Sequence, residues 1–462
     1  MKLKSLKVQN YKCIEDSNEF SIESVTCLVG KNESGKTALL QALYKLNPDI
    51  GKDETFNDLQ EYPRRKYSEY KSQRDENPAN VLTTVWELEK ADQDILIEKI
   101  GENAFIDNIV IFKKGYDNKT YFELNLNEEQ ILDNYYKKCG LDIDEISKLG
   151  NPKTVKELIE KLESLETFSD QQKELLDKLK QAFPSSSPKQ SCINHLHKEL
   201  PIFLYFNSYY KLPGKISIDA LLKKRNENNL DSMDEVFLAL LDLAGTSLDQ
   251  VNQITQYEEL SAEMEAVSNR ISYEIFEYWS QNSHLEVVCE IGQALAGDPQ
   301  PFNTGIIFRI RIKNNRHKVT LSFDERSAGF VWFFSFLVWF SQLKKVYGDN
   351  LIILLDEPGL TLHGKAQADL LRYINDKLKP YHQVIYTTHS PFMIDPDNFL
   401  GIRTVEDVIS EGTKVGDRVF STDSDTIFPL QAALGYEITQ TLFIGKHTLL
   451  VEGPSDLLYL KW

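Results

Sequence analysis

The sequence has few cysteines and no long apolar run, and each shortage argues against a class of protein. Its 462 residues include 5 cysteines. The cysteines are scattered and form no CxxC pair, which argues against a disulfide framework. The most apolar stretch, residues 330–340, is too short to span a bilayer and predicts a buried helix. The start also lacks the apolar core of a signal peptide, so we expect a cytoplasmic protein with no membrane partner.

Basic charge is also in short supply, because 52 Lys and Arg stand against 70 Asp and Glu, giving a formal net charge of −18. This disfavours attraction of the whole surface to nucleic acid, since phosphate contacts depend on Lys and Arg. The most basic stretch, residues 308–318, leaves two interpretations open, an exposed hairpin or a local nucleic-acid contact. Hydrophobic residues make up 41% of the chain, enough for a large core.

The order of predicted elements indicates an α/β protein. Leu6 and Val8 alternate with polar residues, which predicts an edge strand, and the last third alternates helix with strand, which predicts a parallel sheet. Residues 127–200 are rich in Lys, Glu and Leu at helical spacing and predict an inserted helical arm. A second helical stretch, residues 233–280, breaks near Gly245 and suits a helical hairpin or a dimer contact.

A phosphate-binding loop is the clearest motif. The residues fit the pattern G-x-x-x-x-G-K-[ST] completely, and they are Gly30, Lys31, Asn32, Glu33, Ser34, Gly35, Lys36 and Thr37. A short β-prone run precedes the loop and a helical pattern follows it, which is the context that the motif requires. The backbone N–H groups and the helix N-terminus would bind phosphate. Lys36 would reach the β- and γ-phosphates, and the Thr37 hydroxyl would ligate Mg²⁺, so we expect ATP and Mg²⁺ as cofactors.

Two further motifs follow apolar strands. LIILLDEP ends in Asp356 and Glu357, which would hold Mg²⁺ and act as general base on the attacking water, respectively. YTTHS places His389 at the end of the next strand, where a histidine can bind the γ-phosphate or the attacking water. Carboxyl ends of parallel strands meet at one edge of a sheet, so we expect these side chains to face the phosphate loop.

These motifs resemble those of the ATP-binding-cassette (ABC) ATPases, and within them the SMC-like branch that includes DNA-repair ATPases and the OLD (overcoming lysogenisation defect) nucleases. The resemblance covers residues 1–390. It implies that Lys12, in VQNYKCIED, lies near the nucleotide and that Asn32 is the residue common at its place in the loop. PGLTLH matches the D-loop region, but Gly359 replaces the usual acid, which puts that acid's role in doubt.

The resemblance also implies pairing of two ATPase heads. The signature motif of the family is degenerate here, and its best candidate is DERSAGF, with Ser327 and Gly329 matching the signature serine and second glycine. In the family this segment contacts ATP bound to the opposite subunit, so a homodimer or a higher homo-oligomer is implied. A glycine-containing turn before a core helix is the alternative, and no Q-loop glutamine is identified.

The C-terminal segment HTLLVEGPSDLLY resembles the first strand of a Toprim domain, and Glu452 matches the metal-binding glutamate of that family. A Toprim nuclease also needs a later D-x-D strand, which these 462 residues do not contain, so the expected metal site is incomplete and the ending resembles a cut. An ATPase head followed by a Toprim start is the hallmark of OLD nucleases. It implies control of a DNA endonuclease, DNA contact through the full-length protein, and defence against phage.

We therefore expect an ABC-type, SMC-like P-loop ATPase head of α/β class with a truncated Toprim start. The predicted segments are residues 1–126 (N-terminal part of the head), 127–200 (helical insertion), 201–232 (return to the head), 233–284 (helical dimerisation segment), 285–445 (C-terminal part of the head) and 446–462 (incomplete Toprim domain). The alternative function is a nucleotide-controlled scaffold or sensor that acts with a separate effector protein. A transporter ATPase fits less well, because the signature is weak and the helical segment long.

Overall fold

The computed structural model describes residues 1–416 except 50–53, 142, 166, 168, 207–210, 254–256, 342–346 and 396, and it also describes Tyr459. Glu452 and the rest of the predicted Toprim segment, apart from Tyr459, lie outside these residues. The strands are β1 (Lys2–Tyr11), β2 (Ile14–Ser21), β3 (Val25–Val29), β4 (Asn80–Glu87), β5 (Phe105–Gly115), β6 (Thr120–Leu126), β7 (Phe203–Phe206), β8 (Lys215–Ser217), β9 (Leu285–Gln293), β10 (Ile306–Asn314), β11 (Val319–Ser322), β12 (Ile352–Leu355), β13 (Gln383–Thr388), β14 (Ile402–Val408) and β15 (Gly412–Gly416).

The helices lie singly or in runs between these strands along the chain. They are α1 (Lys36–Tyr44), α2 (Asp58–Glu61), α3 (Tyr67–Tyr70), α4 (Lys90–Ile100), α5 (Glu128–Cys139), α6 (Ile143–Lys148), α7 (Val155–Glu163), α8 (Asp170–Ala182), α9 (Pro188–Lys198), α10 (Ile218–Asn226), α11 (Ser232–Ala244), α12 (Leu248–Gln253), α13 (Tyr257–Phe276), α14 (Ala328–Ser341) and α15 (Gly364–Tyr373). No helix within these described ranges is long and apolar enough to cross a membrane.

One large mixed sheet organises the molecule. Its order over the described residues is β6-β5-β4-β1-β2-β15-β14-β3-β13-β12-β7. The strands from β14 to β7 run parallel, whereas those from β6 to β14 pair antiparallel. The predicted parallel sheet is therefore confirmed, but the predicted edge position of the first strand is wrong. β1 pairs with both β4 and β2, so its alternation reflects burial of one face.

The parallel strands are buried on both faces. In β12 and β13 every residue is buried. Ile352 and Leu354 join one hydrophobic cluster, while Ile353 and Leu355 join the cluster on the opposite face. Two-sided burial explains the continuous apolar run of this strand, because successive side chains point to opposite faces.

The helices of residues 127–200 pack on one of these faces. Leu158, Leu162, Leu175 and Leu179 are fully buried, in the same hydrophobic cluster as Trp86 of β4. The helical spacing of the leucines thus marks an apolar face that covers the sheet. The segment boundaries themselves stay predictions.

The aromatic stretch forms α14, and its predicted burial is confirmed. Phe330, Phe333, Phe334 and Phe336 have at most 1% of their surface exposed. The helix carries one fully buried polar side chain, Ser335. Its hydroxyl accepts a hydrogen bond from the Leu212 N–H at 2.7 Å and donates to the Val331 carbonyl at 2.7 Å. Ser335 therefore ties the chain after β7 to the core helix.

Replacing Ser335 with Ala should lower the free energy of unfolding by about 1–3 kcal/mol, because the buried Leu212 N–H would lose its acceptor. Urea unfolding measures this. Ser164→Ala is the control, since the exposed Ser164 hydroxyl bonds only to the Lys161 carbonyl of its own helix. An equal effect of the two substitutions would contradict the proposed tie.

Candidate nucleotide-binding site

The predicted phosphate loop connects β3 to α1. Gly35 has a φ of 99° and lies immediately before α1, in a backbone conformation that favours glycine. The Lys36 side chain is 5% exposed, and its Nζ donates to the Gly30 carbonyl at 2.9 Å and the Lys31 carbonyl at 2.8 Å. An anion can bind here, because the helix N-terminus, the buried ammonium group and the N–H groups of the tightly turned loop lie together.

The two acidic residues that follow β12 reach this loop. The Thr37 hydroxyl donates to Asp356 Oδ1 at 3.1 Å, and Lys36 Nζ lies 3.4 Å from Glu357 Oε1. Asp356 and Thr37 are 319 positions apart in the chain. Parallel pairing of β3, β13 and β12 brings their carboxyl ends to one edge, as the motifs predict.

Two hydroxyl groups that the sequence analysis did not assign hold Asp356. The Thr387 hydroxyl donates to Asp356 Oδ1 at 2.8 Å, and the Tyr205 hydroxyl donates to Asp356 Oδ2 at 2.8 Å. Burial raises the pKa of Tyr205 well above its usual value, and the Asp356 charge raises it further, so the phenol stays a donor. Tyr205 lies on β7 and Thr387 on β13, the two strands next to β12. In the sequence, only a hydroxyl group within an otherwise apolar strand indicates them.

The two carboxylate oxygens of Glu357 contact different side chains at this edge of the sheet. Its Oε2 lies 2.9 Å from His389 Nδ1, while Oε1 faces Lys36. Its φ of 46° is unusual for a residue other than glycine and is typical of strained functional positions. The Glu357 N–H donates to the Thr387 hydroxyl at 2.8 Å, which supports that conformation. Glu357 and His389 therefore form one hydrogen-bonded unit beside the phosphate loop.

The loop after Glu357 borders a cavity of about 390 Å³ that His389 also lines. Gly359 has a φ of 71°, so its left-handed backbone accounts for a glycine where the resembling family has an acid. The Gln367 side chain donates to the Gly359 carbonyl at 3.0 Å and accepts from the Ser390 hydroxyl at 2.7 Å. Gln367 thus connects this loop to the segment that carries His389.

The two signature candidates differ in exposure. Ser327 is exposed just before α14, and its hydroxyl accepts from the Phe330 N–H at 3.4 Å. Gly329 is buried, and a Cβ at this position would lie 2.6 Å from the Thr361 carbonyl oxygen. Close packing of α14 on the loop after Glu357 therefore requires glycine here. Contact of either residue with a second nucleotide stays a prediction.

The remaining predicted nucleotide-binding residues surround the loop. Lys12 is exposed, with a φ of 52°, and its Nζ donates to Gln41 of α1. Asn32 and Glu33 are exposed on the loop, whereas Ser34 is buried and its hydroxyl has no hydrogen-bond partner among the described residues. An unpaired buried hydroxyl at this point suits a phosphate oxygen.

The basic stretch of residues 308–318 lies in β10 and the turn to β11, away from these motifs in the smaller sheet. Arg311 lies 3.6 Å from Glu290, and Lys313 lies 3.1 Å from Glu286. Carboxylates of the neighbouring strand β9 thus offset part of the positive charge of the basic stretch. The stretch forms a strand and turn, as the hairpin interpretation expects, and its contact with nucleic acid stays a prediction.

Thr37 and Asp356 are the residues that could hold a divalent metal. A hydroxyl and a carboxylate 3.1 Å apart offer the oxygen ligands that Mg²⁺ prefers. The described residues contain no group of three or more His, Cys, Asp or Glu that could hold a metal alone. A metal at Thr37 and Asp356 would therefore take its other ligands from phosphate and water, as in P-loop enzymes.

A phosphate loop before a helix, two acids on a parallel neighbouring strand and a histidine on the strand between define a P-loop ATPase head of α/β class. Residues 1–394 match the AAA ATPase domain family, and the chain belongs to that family. The predicted ATPase class is thereby confirmed.

Two curated relatives and one solved structure are similar to this chain. An OLD nuclease from Thermus scotoductus is 23% identical over 98% of this chain and 72% of its own length. An uncharacterized protein from Methanocaldococcus jannaschii, MJECL43, is 30% identical over 27% of this chain, and the match spans only 33% of that relative. An SMC head bound to the C-winged helix domain of ScpA matches with a TM-score of 0.40 and 14% identity, covering 90% of this chain and 97% of that one. The OLD nuclease match confirms the predicted resemblance.

Replacing Tyr205 with Phe should raise the Mg²⁺ concentration needed for half-maximal binding of a non-hydrolysable ATP analogue by about fivefold, because Asp356 would lose one of its donors. Fluorescence titration with a labelled analogue measures this without turnover. The control is Tyr135→Phe, because the phenol of Tyr135 in α5 bonds to the Lys99 carbonyl of α4. Equal metal requirements in Tyr205→Phe and the wild type would contradict the assigned role.

Proposed function

We propose that this chain binds Mg²⁺-ATP at residues 30–37 and hydrolyses it, and that its ATPase cycle controls a DNA endonuclease of the Toprim type. ATPase-domain membership supports the first part, and the similarity to an OLD nuclease supports the second. Two contacts between distant parts of the sequence carry the proposal. Lys36 lies close to Glu357, and Thr37 bonds to Asp356, which is 319 positions away.

The contacts of Glu357 support turnover that depends on nucleotide binding. One of its carboxylate oxygens faces Lys36 and the other faces His389. A general base needs a free oxygen to accept a proton from the attacking water. Phosphate would draw Lys36 away from Glu357 and free Oε1, while His389 keeps the carboxylate oriented.

A second copy of the chain would complete the site. In the proposed dimer, the signature segment of one head, which contains Ser327 and Gly329, faces the γ-phosphate bound to Lys36 of the other. The exposure of Ser327 supports this arrangement. Burial of Gly329 against Thr361 suggests that the glycine sets the approach of α14, while Ser327 makes the contact.

The nuclease part of the proposal rests on Glu452 and on the OLD nuclease relative. Glu452 would be one metal ligand of a Toprim site whose other acids lie beyond these 462 residues. The full protein would act on DNA in the cytoplasm, as a defence against phage or other foreign DNA. In a Toprim site, two acids from later strands would complete the metal site together with Glu452.

Lys36→Ala should weaken ATP binding by about 100-fold or more, because two phosphate contacts to a charged donor would be lost. Glu357→Gln should keep ATP binding and lower turnover by about 10²–10⁴-fold, because the amide cannot accept a proton. Calorimetric ATP titration and phosphate release measure the two effects. Lys173→Ala, at an exposed position of α8, is the control.

Unchanged binding and turnover in Lys36→Ala would overturn the assignment of the site. Full turnover in Glu357→Gln would show that another group is the base. If the wild type and Glu357→Gln both bound ATP and neither hydrolysed it, the sensor function with a separate effector would replace the hydrolytic one.

DNA cleavage by the longest natural form of the protein tests the nuclease part. We expect cleavage that requires a divalent metal and changes with ATP, and we expect Glu452→Gln to abolish cleavage while ATP turnover continues. The control substitution is Glu102→Gln, in the turn after α4. Cleavage by Glu452→Gln at the wild-type rate would contradict the Toprim assignment.

A further inference from the structure

The hairpin β14–β15 lies beyond the family match, which ends at residue 394, yet it belongs to the centre of the large sheet. β14 pairs parallel with β3, the strand that leads into the phosphate loop, with Thr404 opposite Val29. β15 contacts β2 where Gly412 pairs with Ile14. The hairpin therefore separates the P-loop strand from the antiparallel half of the sheet.

The hairpin touches the phosphate loop at both of its glycines. A Cβ at Gly30 would collide with the Val405 carbonyl, and a Cβ at Gly35 would collide with the Thr413 side chain. Thr413 is fully buried, and its hydroxyl donates to the Ser34 carbonyl at 2.9 Å. Cys13 Sγ lies 3.4 Å from the same hydroxyl but is a weaker acceptor.

The hydrogen bond to Ser34 has a consequence for the next N–H group. The Ser34 carbonyl and the Gly35 N–H belong to one planar trans peptide, so they point in opposite directions. Anchoring the carbonyl on Thr413 therefore turns the Gly35 N–H away from the hairpin. Backbone N–H groups that point out of such a loop are what binds phosphate.

We propose that Thr413 is a positioning residue of the nucleotide site, which orients the Gly35 peptide for phosphate, and that the hairpin thereby couples phosphate binding to β15, residues 412–416. The proposal rests on ATP binding at residues 30–37. The coupling is reciprocal, because a loop held by phosphate holds the Thr413 contact in turn. The hairpin leads along the sequence to the segment that contains Glu452.

Thr413→Val keeps the size of the side chain and removes its donor. It should weaken ATP binding about five- to tenfold, the effect of losing one hydrogen bond. Thr413→Ser should retain most of the affinity, because it keeps the hydroxyl. Thr404→Val is the matched control, since the Thr404 hydroxyl is equally buried in the hairpin but donates to the Gly416 carbonyl.

Amide hydrogen exchange distinguishes positioning from a general loss of stability. In the wild type, ATP should slow exchange at residues 412–416, and in Thr413→Val this slowing should disappear although the variant is saturated with ATP. In Thr404→Val the slowing should persist. Wild-type affinity in Thr413→Val, or equal weakening by Thr413→Val and Thr404→Val, would overturn the proposal.

The Lys36→Ala variant separates this inference from the proposed function. If Lys36→Ala loses ATP and Thr413→Val binds it normally, the hairpin inference fails and the nucleotide site stands. If Lys36→Ala binds ATP normally, the nucleotide site itself is misplaced, and the role of Thr413 fails with it.

Discussion

The ammonium group of Lys36 lies between loops from opposite ends of the sequence. It donates to the carbonyls of Gly30 and Lys31 and lies 3.4 Å from Glu357, with 5% of its side chain exposed. A buried charge must be compensated by neighbouring groups, because little water reaches it. The phosphate loop and the Glu357 carboxylate therefore depend on each other.

The order of the strands brings Lys36 and Glu357 together. β3, β13 and β12 run parallel, so the loops after them end at one edge of the sheet. Burial on both faces fixes the register, since a shift by one residue would exchange the residues facing the two cores. The aromatic helix α14 packs in one of these cores, and its first turn contacts the loop after Glu357. The core thus positions the edge at which the proposed nucleotide site lies.

Local motifs predicted part of this site from the sequence. The phosphate loop, Asp356, Glu357 and His389 each follow an apolar strand, and the structure brings them together. Each motif is continuous in the chain, and the edge of a parallel sheet is where such residues converge. Sequence patterning also predicted the buried aromatic helix.

The other contacts could not be predicted from local patterns. Tyr205, Thr387 and Thr413 are single hydroxyl groups whose partners lie 151, 31 and 379 positions away. Their roles depend on which strands are neighbours and in what register, and no short motif carries that information. The prediction that β1 lies at an edge was wrong for the same reason. Alternation indicates that one face of a strand is buried, but it does not indicate whether a neighbouring strand is missing.

A crystal structure of the chain with Mg²⁺ and a non-hydrolysable ATP analogue tests the central claim most directly. We expect Lys36 Nζ to leave the Gly30 and Lys31 carbonyls and Glu357 and to contact the phosphates instead. The metal would lie between Thr37 and Asp356. An analogue bound away from residues 30–37, or bound there with the contacts of Lys36 unchanged, would contradict it.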